Sequence, residues 1–141
     1  MSIRFISLSS SSRFGNAYLV EGPGKVRILV DCGIRLRRME ALLCSLGIDP
    51  ASIQAIFLTH EHGDHTAALK PKTPFPQKYG IPVYANRGLW QRLRREIGCL
   101  DPQLMRVMTD ACPIEVGNLS VSAFAKPHDA VAPLGYIIRG G

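Results

Sequence analysis

Three of the four histidines in this 141-residue chain lie within the run His60-Glu61-His62-Gly63-Asp64-His65. Imidazole nitrogens and carboxylate oxygens are ligands that suit zinc and related metals. Side chains at positions i and i+2 of an extended segment project to the same side, so His60 and His62 can face one ion. A turn at Gly63 would let Asp64 and His65 face a second ion. Two metals about 3.5–4 Å apart form a clamp for hydrolysis, so this run predicts a hydrolytic metal site.

Two residues outside the run are candidates for the same site. A lone histidine is more often structural than a ligand, but His128 is the only other histidine of the chain, and we favour it as a further nitrogen ligand. Asp31 follows an apolar run of strand length. It is either a turn residue that ends the strand or a carboxylate that orients a ligand histidine, and its spacing leaves both interpretations open.

The rest of the sequence predicts the elements that must position these side chains. Strands are predicted at 3–8, 16–21, 26–31, 55–59, 81–84, 120–125 and 135–139, and helices at 36–46 and 87–97. The three prolines within 70–77 argue against a regular helix there. Strands that first form a hairpin and then alternate with helices predict a layered α/β (α+β) domain.

Composition limits the classes of protein further. The net charge is +6, which favours a polyanionic partner such as nucleic acid but fits a merely soluble surface equally well. No apolar run approaches the roughly 20 residues that span a bilayer, and the N-terminus is too short and interrupted for a signal peptide. We therefore expect a cytoplasmic protein with no membrane association. The four cysteines form no Cys-x-x-Cys pair and are predicted to be small buried thiols.

The segment 59–65 resembles the His-x-His-x-Asp-His motif of the metallo-β-lactamase-fold hydrolase superfamily, and 28–33 resembles the strand and aspartate that precede it. Within that superfamily the chain most resembles the YycJ/WalJ-like branch of DNA exonucleases. This likeness is carried by the segments 15–18, 46–50, 78–84, 126–130 and 133–136. The chain departs from the branch's pattern at Arg13-Phe14 and in the proline-rich segment 70–77. The similarity covers nearly the whole chain but only the N-terminal half of such a protein.

The resemblance implies that residues 1–141 are the N-terminal part of a single αββα sandwich, and so a fragment of it. It implies that His60, His62 and His128 hold a first divalent metal and that Asp64 and His65 hold a second. Asp64 and His65 would also be catalytic. The metals would be zinc, with manganese or iron as alternatives. The later bridging aspartate and later histidine of the family have no counterpart in this chain.

The expected function is that of a metal-dependent hydrolase, a phosphodiesterase or exonuclease that acts on DNA through a metal-activated water. Two alternatives stay open at this point. One is a small-molecule hydrolase of the same fold, acting on thioesters or lactones. The other is an inactive truncated fragment, and for the isolated chain we expect weak or single-site metal binding and low activity. The sequence leaves the oligomeric state open.

Overall fold

The computed structural model describes residues 3–11, 13–60, 62–125 and 134–140. Its strands are β1 (Arg4–Ser11), β2 (Gly15–Glu21), β3 (Arg27–Val30), β4 (Ile53–Phe57), β5 (Val83–Ala85), β6 (Met105–Val107), β7 (Ile114–Val116), β8 (Leu119–Ala125) and β9 (Leu134–Gly140). Its α-helices are α1 (Leu36–Ser45), α2 (Gly63–Thr66), α3 (Phe75–Tyr79) and α4 (Arg87–Leu93). None of the described helices is long and apolar enough to cross a lipid bilayer.

The strands form two sheets. The larger has the order β1-β2-β3-β4-β5-β6, in which β1, β2 and β3 are antiparallel and the pairs from β3 to β6 are parallel. Parallel neighbours need crossover connections, and the helices α1 to α4 lie in them. Val30, the last residue of β3, pairs with Phe57, the last residue of β4. The loops that follow these two strands therefore leave the sheet side by side, which brings Asp31 next to the histidine run.

Two apolar clusters define the layers. The first packs α1, α3 and α4 on one face of the large sheet, with Met39, Phe75 and Trp90 among its buried residues. The second packs the other face of that sheet on the antiparallel sheet β7-β8-β9, with Phe57 and Val121 buried between them. The described residues thus supply an α/β/β arrangement, three of the four layers of an αββα sandwich. The prediction of a layered α/β fold of this kind is confirmed.

Several element boundaries differ from the predicted ones. β1 continues to Ser11, beyond the predicted end of the first strand at Leu8, because Ser9, Ser10 and Ser11 pair with β2 after a bulge. α3 begins at Phe75 inside the proline-rich segment, so the exclusion of a helix from 70–77 was wrong in part. Pro76 is tolerated there because the first turn of a helix needs no N–H from it. The predicted helix 87–97 ends at Leu93.

The cysteine prediction was also wrong for three of the four thiols. Cys32 is fully buried in the first apolar cluster. The other three, Cys44, Cys99 and Cys112, are exposed, because they lie in the last turn of α1 and in connections outside the sheets. Apolar neighbours in sequence did not decide burial, since a helix or loop turns successive side chains in different directions.

A surface ion pair links α1 to α3 and gives a pH-dependent prediction. Lys78 Nζ lies 2.6 Å from Glu40 Oε2, and the Tyr79 hydroxyl donates to the same oxygen. The hydrogen bond from Lys78 has the larger effect, and together with the one from Tyr79 it holds the pKa of Glu40 below its usual value. A lowered pKa means that the pair stabilises the fold above the usual glutamate pKa and that this stabilisation is lost as the pH falls through the lowered value.

We therefore expect Glu40→Gln to lower the midpoint of urea unfolding at neutral pH and to have progressively less effect in acid. Because the pair is partly exposed, the change should be small and weaker at high salt. Glu115→Gln, at an exposed position, is the control and should leave the midpoint unchanged at every pH. An effect of Glu40→Gln that is as large in acid as at neutral pH would contradict this account.

Candidate metal centre

Asp31 is a buried carboxylate at the end of β3. Its backbone adopts a left-handed φ of 64°, and its N–H donates to Phe57 O at 2.8 Å. Aspartate is one of the few non-glycine residues that visit this conformation readily. The side chain, only 2% exposed, accepts hydrogen bonds from the Thr59 N–H at 2.8 Å and from the Thr59 hydroxyl at 2.6 Å. Asp31 therefore ties the end of β3 to the segment that follows β4.

The same carboxylate holds the last histidine of the run. His65 Nδ1 lies 2.7 Å from Asp31 Oδ2, which is a hydrogen-bond distance. The backbone of α2 is fixed as well, since the Cys32 N–H donates to His65 O at 3.0 Å. The two interpretations of Asp31 that its spacing left open are both correct in part. It is a turn residue with a left-handed backbone, and its carboxylate contacts a histidine of the run.

These contacts select one tautomer for two of the imidazoles. A carboxylate can only accept, so His65 must carry its proton on Nδ1. The Thr59 hydroxyl donates to Asp31 and therefore accepts from Nδ1 of His60, 2.8 Å away. Both rings then have the lone pair on Nε2, the nitrogen that a metal ion could use. Acceptors placed in this way fix which nitrogen of each ring can act as a ligand.

Asp64 and His65 converge on a common point. Asp64 Oδ2 lies 3.8 Å from His65 Nε2. Two such atoms bound to one zinc ion, each about 2.0–2.2 Å from it, are at most about 4.3 Å apart, so the pair fits a shared ion. Asn16 orients the aspartate, because its amide nitrogen donates to Asp64 O at 3.1 Å and to Asp64 Oδ2 at 3.2 Å. The donor set of the site thus suits a divalent metal.

Of the other predicted ligands in the run, His60 lies close to His65, whereas His62 lies farther from His60. The ring centroids of His60 and His65 are 4.6 Å apart, whereas those of His60 and His62 are 6.0 Å apart with nearly parallel planes. His62 is exposed and immediately precedes α2, which begins at the predicted turn at Gly63. His128 lies outside the described residues. The structure therefore brings His60 and Asp64 close to His65, with His62 farther from His60, and the roles of all four residues as ligands stay predictions.

Possible ligand atoms of Asp31, His60 and His65 also lie within 4.8 Å of one another. The 2.7 Å separation between Asp31 and His65 is shorter than the roughly 3.3 Å edge expected between two ligands of a tetrahedral zinc ion. We therefore interpret Asp31 as a residue that orients His65 rather than as a ligand beside it.

Comparison with known proteins agrees with this geometry. Residues 12–127 match the family model described as the metallo-beta-lactamase superfamily. The chain belongs to the metallo-β-lactamase superfamily.

Relatives within this superfamily include two exodeoxyribonucleases. The chain is 30% identical to exodeoxyribonuclease WalJ of Streptococcus pneumoniae strain D39, over 92% of this chain and 48% of that protein. It is 31% identical to exodeoxyribonuclease YycJ of Bacillus anthracis, over 96% of this chain and 50% of that protein. The chain thus spans about half the length of each relative.

Among solved structures, the Rm3 metallo-beta-lactamase superposes with a TM-score of 0.74 at 20% identity, covering 97% of this chain and 54% of that one. The MIM-2 metallo-beta-lactamase gives a TM-score of 0.69 at 20% identity, covering 96% and 53% of the two chains. At this level of identity the superpositions support the superfamily's fold.

Three residues of this superfamily member contact the site although sequence reasoning gave them no role. Asn16 and Thr59 lie in segments that carried the resemblance, but only the fold shows that they contact Asp64 and Asp31. Tyr136 on β9 donates its hydroxyl to Leu58 O and so ties the small sheet to the end of β4. Burial and then the charge of Asp31 raise the pKa of Tyr136, so its hydroxyl remains a donor at neutral pH.

Cys32 lies beside Asp31 but does not add a ligand. Burial first, and then the neighbouring carboxylate, raises the pKa of its thiol. Only a thiolate binds a metal well, so this cysteine stays a neutral packing residue. The candidate ligands of the centre are therefore nitrogens and oxygens.

Proposed function

We propose that this chain carries the metal centre of a hydrolase that cleaves phosphodiester bonds in DNA. The observation that carries the proposal is the approach of Asp64 Oδ2 to His65 Nε2, which lie 3.8 Å apart. The other ring nitrogen of His65, Nδ1, is hydrogen-bonded to the buried carboxylate of Asp31. A side chain fixed on both sides in this way is preorganised for metal binding rather than for solvation. A polar surface loop would need no buried carboxylate beneath it.

In this proposal His60, His62 and His128 hold one divalent metal, and Asp64 and His65 hold a second. Zinc suits this mixture of imidazole and carboxylate ligands best, with manganese or iron as alternatives. When bound, such ions lower the pKa of coordinated water and neutralise charge that develops on the attacked phosphate.

The protein's own residues prepare the reaction. Asp31 orients His65, and Asn16 fixes Asp64 through two hydrogen bonds. Asp64 would also accept a hydrogen bond from the attacking water and so direct its oxygen toward phosphorus. His65 would stay near the reacting atoms through its Nε2, and its Nδ1–H remains hydrogen-bonded to Asp31 throughout.

DNA is favoured as the substrate by charge and by relatives. The net charge of +6 suits a polyanion, and both exodeoxyribonucleases described above are similar over nearly the whole chain. A cleft of about 550 Å³ beside Asp64 is lined by Arg13, Arg35 and Arg38. A small uncharged thioester or lactone would gain little from three guanidinium groups. We accordingly expect a DNA-processing enzyme that works in the cytoplasm without a membrane partner.

The test is cleavage of labelled duplex and single-stranded DNA by the metal-loaded 141-residue chain, beside a panel of thioesters and lactones. We expect a low rate of DNA cleavage, which a chelator abolishes and added zinc or manganese restores. Asp64→Asn should lower the rate by roughly 100-fold or more, since it removes a charged ligand. Asp110→Asn, at an exposed position outside the centre, is the control.

Undiminished DNA cleavage after thorough metal removal would contradict the proposal. Hydrolysis of a thioester or lactone with no DNA cleavage would favour a small-molecule hydrolase instead. Zinc titration tests the alternative that the chain is an inactive fragment. Tight binding of two zinc ions per chain would argue against that alternative.

A further inference from the structure

Phe14, in the loop between β1 and β2, brings two guanidinium groups together. The Arg13 guanidinium lies 5.2 Å from the centroid of the Phe14 ring, and that of Arg38, on α1, lies 5.0 Å from it. The ring itself is 50% exposed. Cations over an aromatic face are attracted by the ring's quadrupole, so Phe14 holds two arginines from distant parts of the sequence on one support.

The loop that carries Phe14 is fixed to the rest of the site. The Ser11 hydroxyl accepts from the Arg13 N–H at 3.1 Å and from the Phe14 N–H at 3.2 Å. Gly15 follows with a φ of +100°, and a Cβ at this position would lie 1.9 Å from Gly33 O. Backbone therefore packs directly on backbone, which sets the position of the loop against the segment after β3.

That same segment touches Asp64. A Cβ on Gly33 would lie 1.9 Å from Asp64 O, so Gly33 separates the loop from α2 by the thickness of one backbone. The cleft lined by Arg13, Phe14 and Arg38 consequently has Asp64 in its wall, and Arg35 lies in the same wall. A group held by these arginines would lie close to the candidate metal centre.

The arginines of this cleft have no acidic partner in the part of the chain that the structure describes. The ion pairs of the described residues that involve Arg4, Arg27 and Lys78 lie outside the cleft and do not include Arg13, Arg35 or Arg38. A solvated basic surface would let arginines spread apart to reduce their mutual repulsion. Here two of them share one ring beside a cleft, which indicates an anionic ligand that the guanidinium forks would bind.

We propose that Arg13, Phe14 and Arg38 form a clamp for a backbone phosphate of a DNA strand whose neighbouring phosphodiester lies at the metal centre. Phe14 positions the two guanidiniums, and Arg35 extends the same basic wall. This inference rests on the proposed function, because it assigns the substrate-binding part of the same cleft.

The test measures binding of a labelled single-stranded oligodeoxynucleotide by fluorescence anisotropy, with chelator present so that no strand is cleaved. We expect Arg13→Gln and Arg38→Gln each to weaken binding by roughly two- to fivefold, the range for a partly exposed ion pair. Each should also reduce the slope of log affinity against log salt by about 0.7, the value for one lost phosphate contact on a single strand. Arg95→Gln makes the same change of charge away from the cleft and should bind like the parent chain.

Substitutions of Phe14 distinguish a clamp from non-specific electrostatic attraction between DNA and a basic surface. Phe14→Leu leaves the net charge unchanged, yet it should weaken binding because the guanidiniums lose their support. Phe14→Tyr keeps the aromatic face and should restore binding. Equal binding by the Arg38→Gln and Arg95→Gln chains, full binding by Phe14→Leu, or no binding by the parent chain would each overturn the clamp.

Failure of the clamp and failure of the proposed function give different results. A parent chain that shows the expected binding pattern but never cleaves DNA with any divalent metal contradicts the function alone. Metal-dependent cleavage with binding unaffected by the arginine and Phe14 substitutions contradicts the clamp alone.

Discussion

Asp31→Ala is expected to weaken zinc binding by roughly 10- to 100-fold, the usual effect of removing a carboxylate that orients a ligand histidine. His65 loses the acceptor of its Nδ1–H, and the Thr59 N–H and hydroxyl lose theirs in a buried place. The stability of the fold should fall by roughly 2–4 kcal/mol, from unsatisfied donors and from alanine in a left-handed conformation. Competition with a chromogenic chelator and urea unfolding measure the two effects.

Two companion substitutions separate the backbone from the carboxylate. Asp31→Gly accepts the φ of 64° without strain. Any further loss of stability in Asp31→Ala relative to Asp31→Gly therefore reports on strain in the backbone. Asp31→Asn also tolerates this conformation, but its amide nitrogen can only donate, so the variant loses either the hydrogen bonds from His65 and the Thr59 hydroxyl or the one from the Thr59 N–H. We expect all three variants to bind zinc weakly and Asp31→Ala to be the least stable. Zinc binding by Asp31→Asn as tight as that of the parent chain would show that the carboxylate does not orient His65.

The histidine run could be recognised, and the layered fold could be predicted, from the sequence alone because both depend on local pattern. The run is dense enough in ligand types to stand out, and the change from alternating to helical spacing at 36–46 places α1 well. The parallel pairing of β3 with β4 then follows from a helical crossover between them. These features need no knowledge of contacts between distant residues.

The contacts that complete the site could not be predicted in this way. Thr59 meets Asp31 because Val30 and Phe57 are partners in a parallel pair, and a shift of register by one residue would turn the side chain away. Asn16 reaches Asp64 only because the start of β2 packs on the loop after β3. Short polar side chains carry no periodic signal, so their partners appear only with the tertiary structure.

Gly33→Ala is expected to disrupt the centre severely, because the added methyl group would meet the backbone of α2. The new Cβ would lie 1.9 Å from Asp64 O and 2.7 Å from His65 Cα, which are backbone atoms that cannot rotate away. α2 would have to move, and the hydrogen bonds from Cys32 to His65 O and from Asn16 to Asp64 would break. We expect a loss of roughly 3 kcal/mol or more in the free energy of unfolding, together with weaker zinc binding than that of the parent chain.

Gly63→Ala is the matched control, because it adds the same methyl group within the histidine run itself. Within the described part of the chain its Cβ would meet only Lys70 Nζ, at 3.3 Å, and the end of a lysine side chain can move aside. Alanine also favours the helix that begins there. Urea unfolding and zinc titration should therefore separate Gly33→Ala sharply from Gly63→Ala. Equal behaviour of the two would mean that α2 is free to shift, and the close backbone packing that holds Asp64 and His65 would then not be what preorganises them.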